Sequence, residues 1–272
     1  MRGASRQALA QARETLDAEL VAATQSTDAT VADELLSVAR LLARETGLAR
    51  ALSDAGTEPA QRVRLVDTLF GPRLGAPALG VLRTVVGLRW SSANDLVDGI
   101  ELLGAQAAFE EAARVGSLDE VEDELFRFAR IVERAPGLSS AFANPTLPAE
   151  NKVSLAHSLL SERASPITTR LVESVVAALR GRTPSRALDE LADEAARRRQ
   201  REIAVVRVAA PMDEELKERL VSAIGRSLGK DVRLQVEIDP DVVGGVVVQI
   251  GDEVIDGSVA RRLAQVRRDL TS

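Results

Sequence analysis

An internal repeat limits the fold of this 272-residue chain more than any other feature of its sequence. When the sequence is shifted by 90 positions, residues 31–70 lie over residues 121–160 without a gap, and thirteen of the forty pairs are identical. About a tenth of the pairs would match by chance in a chain so rich in Ala, Leu, Arg and Val. The identities follow apolar positions spaced by three and four residues, which is typical of amphipathic helices. The sequence therefore predicts two related sets of helices in tandem.

Each copy of the repeat carries an apolar stripe that helical spacing places on one face of a helix. The stripes consist of Val31, Leu35, Val38 and Leu42 in the first copy and Val121, Leu125, Phe128 and Val132 in the second. Bundles of aliphatic helices can take up a partner helix in an apolar groove. We therefore predict that these eight residues line grooves for partner helices.

The chain divides into three predicted segments. Residues 1–104 form a first helical bundle and residues 105–201 a second, and a long helix near residues 93–114 joins them. Residues 202–272 alternate β-branched runs with helical stripes, which is typical of a small α/β module. The predicted fold class is therefore mainly α, with tandem helical bundles followed by a short mixed sheet with helices. A module of about seventy residues is marginal by itself and is expected to rest on a partner.

Residues 238–258 of the predicted module contain many residues that favour turns, chiefly glycine, proline and aspartate. Proline has no N–H for a sheet ladder, so an extended run ends at Asp239-Pro240, and the paired glycines permit a bulge or a close approach of backbones. A β-branched strand over residues 246–250, buried on both faces, leads into a hairpin turn, a short return strand and a helix over residues 259–270. The signature consists of Asp239, Pro240, Gly244, Gly245, Gly251, Asp252, Asp256, Gly257 and Ser258.

This stretch resembles the C-terminal signature of the delta subunit of F-type ATP synthases, known in mitochondria as the oligomycin-sensitivity-conferring protein. The family pattern is an acidic-Pro dipeptide, a Gly-Gly pair, a run of valines or isoleucines, Gly-Asp, then Ile-Asp-Gly-Ser and a terminal helix, and every piece is present in order. Gln249 stands where the family has a basic residue. The segment 118–200, with its Phe142-x-Asn144-Pro145 loop and Lys152, resembles the single bundle of the family. The additional bundle is similar to the enlarged delta subunits of actinobacteria.

The resemblance implies a non-catalytic subunit of the peripheral stalk, with no cofactor. In the family the helical bundle grips N-terminal helices of alpha subunits, and the C-terminal module receives the C-terminal end of the b subunit. The stalk stops the catalytic head from turning with the rotor, so that rotor torque drives proton-coupled ATP synthesis. The expected location is cytoplasmic, on the inner face of the bacterial plasma membrane through the complex. We also hypothesise that the duplicated bundles grip two different helices, or that one braces the b subunit.

Composition and motifs argue against several other functions. A net charge of −6 argues against nucleic acid as the main partner, and the absence of cysteine excludes disulfides and thiolate sites. No apolar run approaches the roughly 20 residues that span a bilayer, so direct membrane insertion is not expected. The glycines at 244, 245 and 251 precede a strand instead of a helix, unlike a phosphate-binding loop. His157 is the only histidine, so neither a metal site nor a catalytic residue is expected.

Two charged clusters have simple structural interpretations. The carboxylates are predicted to complement the dipole at the start of the helix that carries them. The arginines are predicted to form a solvated helix end, with phosphate binding as the alternative. The first cluster consists of Asp119, Glu120, Glu122, Asp123 and Glu124, and the second of Arg197, Arg198, Arg199 and Arg201.

Two other functions stay open at this point. A free-standing adaptor with tandem helical repeats, unrelated to ATP synthase, would use both bundles but would leave the stretch at 239–258 unexplained. An enzyme with a small-ligand site in the α/β module is the weaker alternative, since the sequence shows no constellation of catalytic residues.

Overall fold

The computed structural model describes residues 3–22, 31–200, 202–209, 212–228, 232–239, 242, 246–250 and 253–256. The chain forms two compact units, Met1–Arg198 and Arg199–Ser272. The described residues are mostly helical and include one small four-stranded sheet. The predicted fold class, mainly α with a small α/β module, is therefore confirmed.

Eleven helices precede the sheet in the described part of the chain. They are α1 (Gly3–Ala22), α2 (Val31–Arg44), α3 (Thr46–Ser53), α4 (Pro59–Phe70), α5 (Ala76–Gly87), α6 (Ala93–Arg114), α7 (Leu118–Arg134), α8 (Pro136–Ala143), α9 (Ala149–Leu160), α10 (Pro166–Ala177) and α11 (Pro184–Gln200). Proline occupies the first turn of α4, α5, α8 and α10, where its missing N–H has no intrahelical partner. The long helix α6 is capped by the hydroxyl of Ser92, which accepts a 3.1 Å hydrogen bond from the N–H of Asp95.

The helices reproduce the repeat of the sequence. The helices α3, α4 and α5 begin and end 90 residues before α8, α9 and α10. Pro77 and Pro166 are only 89 residues apart, and this offset predicts a one-residue slip of the repeat. For the helices that prediction is wrong, because α5 and α10 start at equivalent positions and the prolines take successive places in the first turn. A first helical turn accepts proline at more than one place, so the offset does not shift the helix.

The central helix of the first unit is α6. It packs against α1, α2, α3, α5, α7 and α10, and buried residues occur on all its sides, as expected for a surrounded helix. Two of its glycines allow close approaches. A Cβ at Gly104 would lie 2.9 Å from the side chain of Leu36, and a Cβ at Gly99 would lie 2.4 Å from the ring of Trp90. Both sets of helices therefore share α6.

One continuous apolar core runs through the first unit, from Ala8 in α1 to Ala195 in α11. Aliphatic side chains supply most of it, and Phe128 packs against Phe142 edge to face, with ring centroids 6.5 Å apart. Both sets of helices contribute to this core. The division into bundles at residues 1–104 and 105–201 stays a prediction.

The second unit contains a mixed sheet and one described helix. Its elements are β1 (Glu202–Val208), α12 (Glu214–Leu228), β2 (Val232–Ile238), β3 (Val246–Ile250) and β4 (Glu253–Asp256). The strand order is β2-β1-β3-β4, with β1 parallel to β2 and the other two pairs antiparallel. The parallel pair requires a crossover connection, which α12 supplies.

Among the described residues of the second unit, Val206, Val208, Ile224 and Val248 form a buried apolar cluster. Complete burial of β3 on both faces is predicted from its β-branched residues. In the structure Val248 is buried, but Val246 and Val247 are half-buried. The prediction of complete burial is therefore wrong for Val246 and Val247, because β-branched composition does not by itself determine which faces of a strand are covered.

Candidate functional site

The predicted groove residues lie inside the first unit. Seven of the eight are buried in its core, namely Leu35, Val38, Leu42, Val121, Leu125, Phe128 and Val132, and Val31 is half-buried against the same core. Helix α2 is covered by α6, so its stripe is an internal contact of the chain. A partner helix could reach these side chains only by displacing a helix of the chain itself. The groove stays a prediction, and the apolar surface that the first unit exposes is formed by other residues.

Apolar side chains that are exposed on the first unit offer such a surface. On α7, Phe126 and Ile131 are 53% and 54% exposed, and the guanidinium of Arg130 lies 5.3 Å from the centroid of the Phe126 ring. Leu41 is also exposed and occupies the repeat position equivalent to Ile131. Sequence reasoning did not single out Phe126 or Ile131 for binding, since the strongest periodic signal belongs to the stripe that fills the core.

Arginine side chains connect helices that are far apart in the sequence. Arg170 on α10 pairs with Asp33 on α2 at 3.0 Å and with Glu111 on α6 at 2.6 Å. Arg13 on α1 pairs with Glu194 on α11 at 3.2 Å. These contacts join the first set of helices to the second.

Arg198 is the clearest correction to the sequence interpretation. A solvated helix end is predicted for its cluster, but the Arg198 side chain is only 8% exposed. It pairs with Glu110 on α6 and, at 3.3 Å, with Asp17 on α1. Burial by itself would lower the pKa of Arg198, but the hydrogen bond and charge of Glu110, together with Asp17, outweigh it and raise the pKa above its usual value. The prediction is wrong for this residue because α11 packs back onto α1 and α6.

Arg180 forms a second buried ion-pair centre. Its guanidinium pairs with Asp98 at 2.6 Å and with Glu101, which also accepts a 2.7 Å hydrogen bond from Arg182. Burial would lower the pKa of Arg180, but the charges of Glu101 and Asp98 outweigh it and raise the pKa. Arg180 has a positive φ of 48°, and Gly181 follows with a φ of 82°. This turn between α10 and α11 carries Arg180 to its partners on α6.

Two equivalent glutamates cap helix N-termini in the two copies. The N–H of Gly75 donates to Glu34 at 2.8 Å, and the N–H of Ser165 donates to Glu124 at 3.0 Å. Glu124 is buried and also accepts a 2.5 Å hydrogen bond from the hydroxyl of Thr168. The prediction that Glu124 complements the dipole of its own helix is therefore wrong, because its carboxylate binds the N-terminus of α10. The sequence does contain a signal for this capping role, since residues 34 and 124 are both glutamate at equivalent positions of the repeat.

A basic cleft lies where the two sets of helices meet. Its volume is about 490 Å³, and the end of α2, the loop before α9, and the turn after α10 contribute to its walls. We define the basic cleft by its five cationic residues, Arg40, Arg44, Lys152, Arg180 and Arg182.

The described part of the signature lies at the sheet of the second unit. The N–H of Asp239 donates to the carbonyl oxygen of Val208 at 2.9 Å, which extends the β1–β2 pairing by one residue. Asp256 is the last residue of β4 and lies opposite Val247 of β3. The remaining signature residues, Pro240, Gly244, Gly245, Gly251, Asp252, Gly257 and Ser258, lie outside the described residues, as does the helix predicted over 259–270.

Two classes of feature do not occur among the residues that the structure describes. None of their His, Asp and Glu side chains form a group of three or more that could hold a metal ion. Within the same ranges, no helix combines the length and the apolar character that crossing a membrane requires.

The fold defines a helical scaffold, held together by buried ion pairs, that ends in a small α/β unit. The family model of the ATP synthase delta (OSCP) subunit matches residues 104–270. ATP synthase subunit delta of Acidothermus cellulolyticus is 46% identical over 274 residues, and that of Frankia alni is 47% identical over 275 residues; the alignments cover at least 99% of each chain. The chain therefore belongs to the ATP synthase delta (OSCP) subunit family, as its C-terminal signature predicts.

The family model begins within α6, whereas both relatives align with the whole chain. The sequence of the first set of helices therefore aligns with these relatives as well. A chain in a solved structure of the Toxoplasma gondii mitochondrial ATP synthase hexamer is 18% identical and covers 62% of this chain and 95% of its own, with a TM-score of 0.28. So low a score adds nothing to the description of the fold. Family membership does not favour the alternative of an adaptor unrelated to ATP synthase.

Proposed function

We propose that the protein is a non-catalytic subunit of the peripheral stalk of an F-type ATP synthase. It links the alpha-beta head to the b subunit, so that rotor torque changes the catalytic sites instead of turning the head. The observation that carries this proposal is family membership at 46–47% identity over the whole chain. Through the complex the protein is peripheral to the inner face of the bacterial plasma membrane.

The first unit has the mechanical properties that such a link needs. Its helices share one core, and arginines from α10, α11 and the turn between them pair with carboxylates on α1, α2 and α6. Sliding one set of helices past the other would separate buried charges from their partners, which is costly in a medium of low dielectric constant. Torque applied to one side is therefore transmitted through the unit with little deformation.

The two units are proposed to bind different partners. The first unit binds the N-terminal helices of alpha subunits, and its exposed Phe126 and Ile131 support this assignment. The second unit binds the C-terminal end of the b subunit. Its exposed apolar residues Leu216 and Ile238 support a partner there, because covering them would stabilise the unit.

Substitutions at these exposed residues test the assignment without disturbing the core. The double variant Phe126→Ser, Ile131→Ser should bind ATP synthase lacking this subunit at least about tenfold more weakly, since apolar anchors dominate interface energies. Leu216→Ser should spare binding to an isolated alpha-beta head and weaken binding to the b subunit. Val115→Ser, at a more exposed valine in the turn after α6, is the control. Proton-driven ATP synthesis should fall in parallel with binding, and unchanged binding in both variants would contradict the proposed surfaces.

The duplication is proposed to offer two similar surfaces, with one repeat unit at residues 1–104 and the other at 105–201. Leu41 and Ile131 are the equivalent exposed positions. If each copy grips its own helix, Leu41→Ser and Ile131→Ser should each remove part of the binding, and the double variant should lose the sum. Loss with Ile131→Ser alone would restrict helix binding to the second copy.

A further inference from the structure

The basic cleft holds a cation that the chain does not satisfy. Lys152 is 8% exposed, lines the cleft, and forms neither a hydrogen bond nor an ion pair with any residue in the described part of the chain. The Nζ atom of Lys152 is not itself fully buried, so its aliphatic stem is enclosed while its ammonium group is open to an anion in the cleft. This side chain is the strongest indication that the cleft takes a ligand.

The repeat supplies an internal comparison for Lys152. The equivalent residue of the first copy is Arg62, which is buried and donates to the carbonyl oxygens of Leu88 at 3.2 Å and Gly87 at 3.4 Å. Arg62 thus binds the C-terminal end of α5 through Nη1 and Nη2, while its buried Nε has no partner among the described residues. Lys152 lies at the corresponding end of α10 but makes no such bonds to described residues. The first copy also has a cavity here, of about 360 Å³ and lined by Arg62 and Arg89, but there Arg62 is engaged by the helix end, whereas Lys152 faces the basic cleft without such bonds.

The arginines of α2 add to the uncompensated charge. Arg40 bonds to the hydroxyl of Ser37 at 3.0 Å and forms no ion pair with any residue in the described ranges. Arg44 pairs with Glu150 at 2.8 Å, but the two side chains are 58% and 66% exposed, so this pair is weak and a ligand can displace it. Arg40 and Arg44 lie one helical turn apart, which places their Cβ atoms about 5–6 Å from each other.

The carboxylates near the cleft are already engaged. Glu101 binds both Arg180 and Arg182, Asp98 binds Arg180, and Glu190 lies 3.5 Å from Arg182. These pairs neutralise the charges of Arg180 and Arg182, which lie in the turn after α10. The positive charge open to a ligand is therefore that of Arg40, Arg44 and Lys152.

The other walls of the cleft are apolar, with Ala43, Ala143, Pro145 and Leu179 among the lining residues. A small inorganic anion would leave these walls without contacts, whereas a peptide segment could cover them. Guanidinium groups also match the fork geometry of carboxylates. Cations one turn apart favour carboxylates with the same spacing on a helical segment.

We infer that the basic cleft binds an acidic segment of another ATP synthase subunit, with two carboxylates one helical turn apart facing Arg40, Arg44 and Lys152. The inference rests on the proposed function for the identity of the partner. The end of α2 from the first copy and residues of the second copy line the cleft together, and α2 supplies Arg40 and Arg44. It lies apart from the exposed apolar residues of α7 and adds a second contact of different chemistry.

Calorimetric titration of the full chain tests the cleft without the complex. The probes are a capped alanine peptide with two glutamates four residues apart, its glutamine counterpart, and inorganic phosphate. The glutamate peptide should bind, and Arg40→Met and Lys152→Met should each weaken it about tenfold, the loss of one charge-assisted hydrogen bond. Arg64→Met, at an exposed arginine outside the cleft, is the control. No binding, equal binding of the glutamine peptide, or tighter binding of phosphate would overturn the inference.

Rebinding to ATP synthase that lacks this subunit tests the partner. The double variant Arg40→Met, Lys152→Met should rebind at least tenfold more weakly than the wild type, with a flatter dependence on salt because fewer charges take part. If the wild type and the double variant rebind equally well, the inference fails and the proposed function stands. If the wild type does not rebind, the proposed function fails, and the titration still decides whether the cleft is a carboxylate site.

Discussion

Replacement of Glu101 by glutamine should destabilise the first unit far more than loss of an exposed charge. Glu101 is buried on α6 and receives hydrogen bonds from Arg180 and, at 2.7 Å, from Arg182. Glutamine keeps the volume of the side chain but removes its negative charge. The two guanidinium groups would then lose the counter-ion they share.

The expected loss of stability depends on the ion pairs that Arg180 and Arg182 keep after the substitution. Removing one partner of a buried ion pair costs about 3–5 kcal/mol, because the other charge stays buried. Arg180 keeps Asp98 at 2.6 Å and Arg182 keeps Glu190 at 3.5 Å, which places the expected loss near the lower end, about 3 kcal/mol. In a domain of this size each kcal/mol lowers Tm by about 2–4 °C, so Tm should fall by roughly 6–12 °C.

Thermal unfolding of the full chain, followed by circular dichroism at a helical wavelength, measures this change. Glu150→Gln is the matched control, since its pair with Arg44 is exposed on both sides and is worth about 0–1 kcal/mol. A double variant, Glu101→Leu with Arg180→Met, should recover part of the loss because it leaves one buried charge fewer without a partner. If Glu101→Gln melted no lower than Glu150→Gln, the buried ion pairs would not brace the two sets of helices.

Four further substitutions test local contacts, and the first three are at equivalent positions of the repeat. Hydrogen bonds from Gly56 and Thr57 lower the pKa of Asp54 from 3.8, so the stability that its carboxylate contributes is present above pH 3.8 and is lost as the pH falls through the lowered folded-state pKa. Asp54→Asn copies Asn144 of the second copy and should remove that acid sensitivity. An NMR titration of the Gly56 amide measures the change. Glu124→Gln should cost about 1–3 kcal/mol in urea unfolding, and Glu34→Gln less, because Glu34 is only half-buried; equal losses would contradict the role of burial. Gly104→Ala should cost about 1–3 kcal/mol in the same assay because its Cβ would press on Leu36, and an unchanged midpoint would show that α2 can move aside.

Periodicity predicted the elements well because it is a local property. The stripes at residues 31–42 and 121–132 locate α2 and α7, and the turn residues between β-branched runs locate the described strands of the second unit. The identity of the family was also readable, since the signature at 238–258 is a continuous stretch of sequence. None of these inferences required knowledge of which helix packs against which.

Helical periodicity does not determine what covers the apolar stripes. Val121 and Leu125 were assigned to a groove because an apolar face must be covered, and a single sequence does not state by what. In the structure the chain's own helices cover them. The residues left exposed, Phe126 and Ile131, lie off the stripe and carry no periodic signal of their own.

The sequence by itself determined the repeat, the helices, the order of the strands along the chain and the family, because each is encoded by neighbouring residues. Only the tertiary structure decided which charges are paired and which are left open. Arg13 and Glu194 are 181 positions apart, and the sequence predicts a solvated Arg198 although its side chain pairs with Glu110 on α6. Lys152 and Arg62 are equivalent in sequence, but one faces the basic cleft and the other binds a helix end. Whether two charged side chains pair depends on their distance in space, and the spacing of residues along a helix does not give that distance.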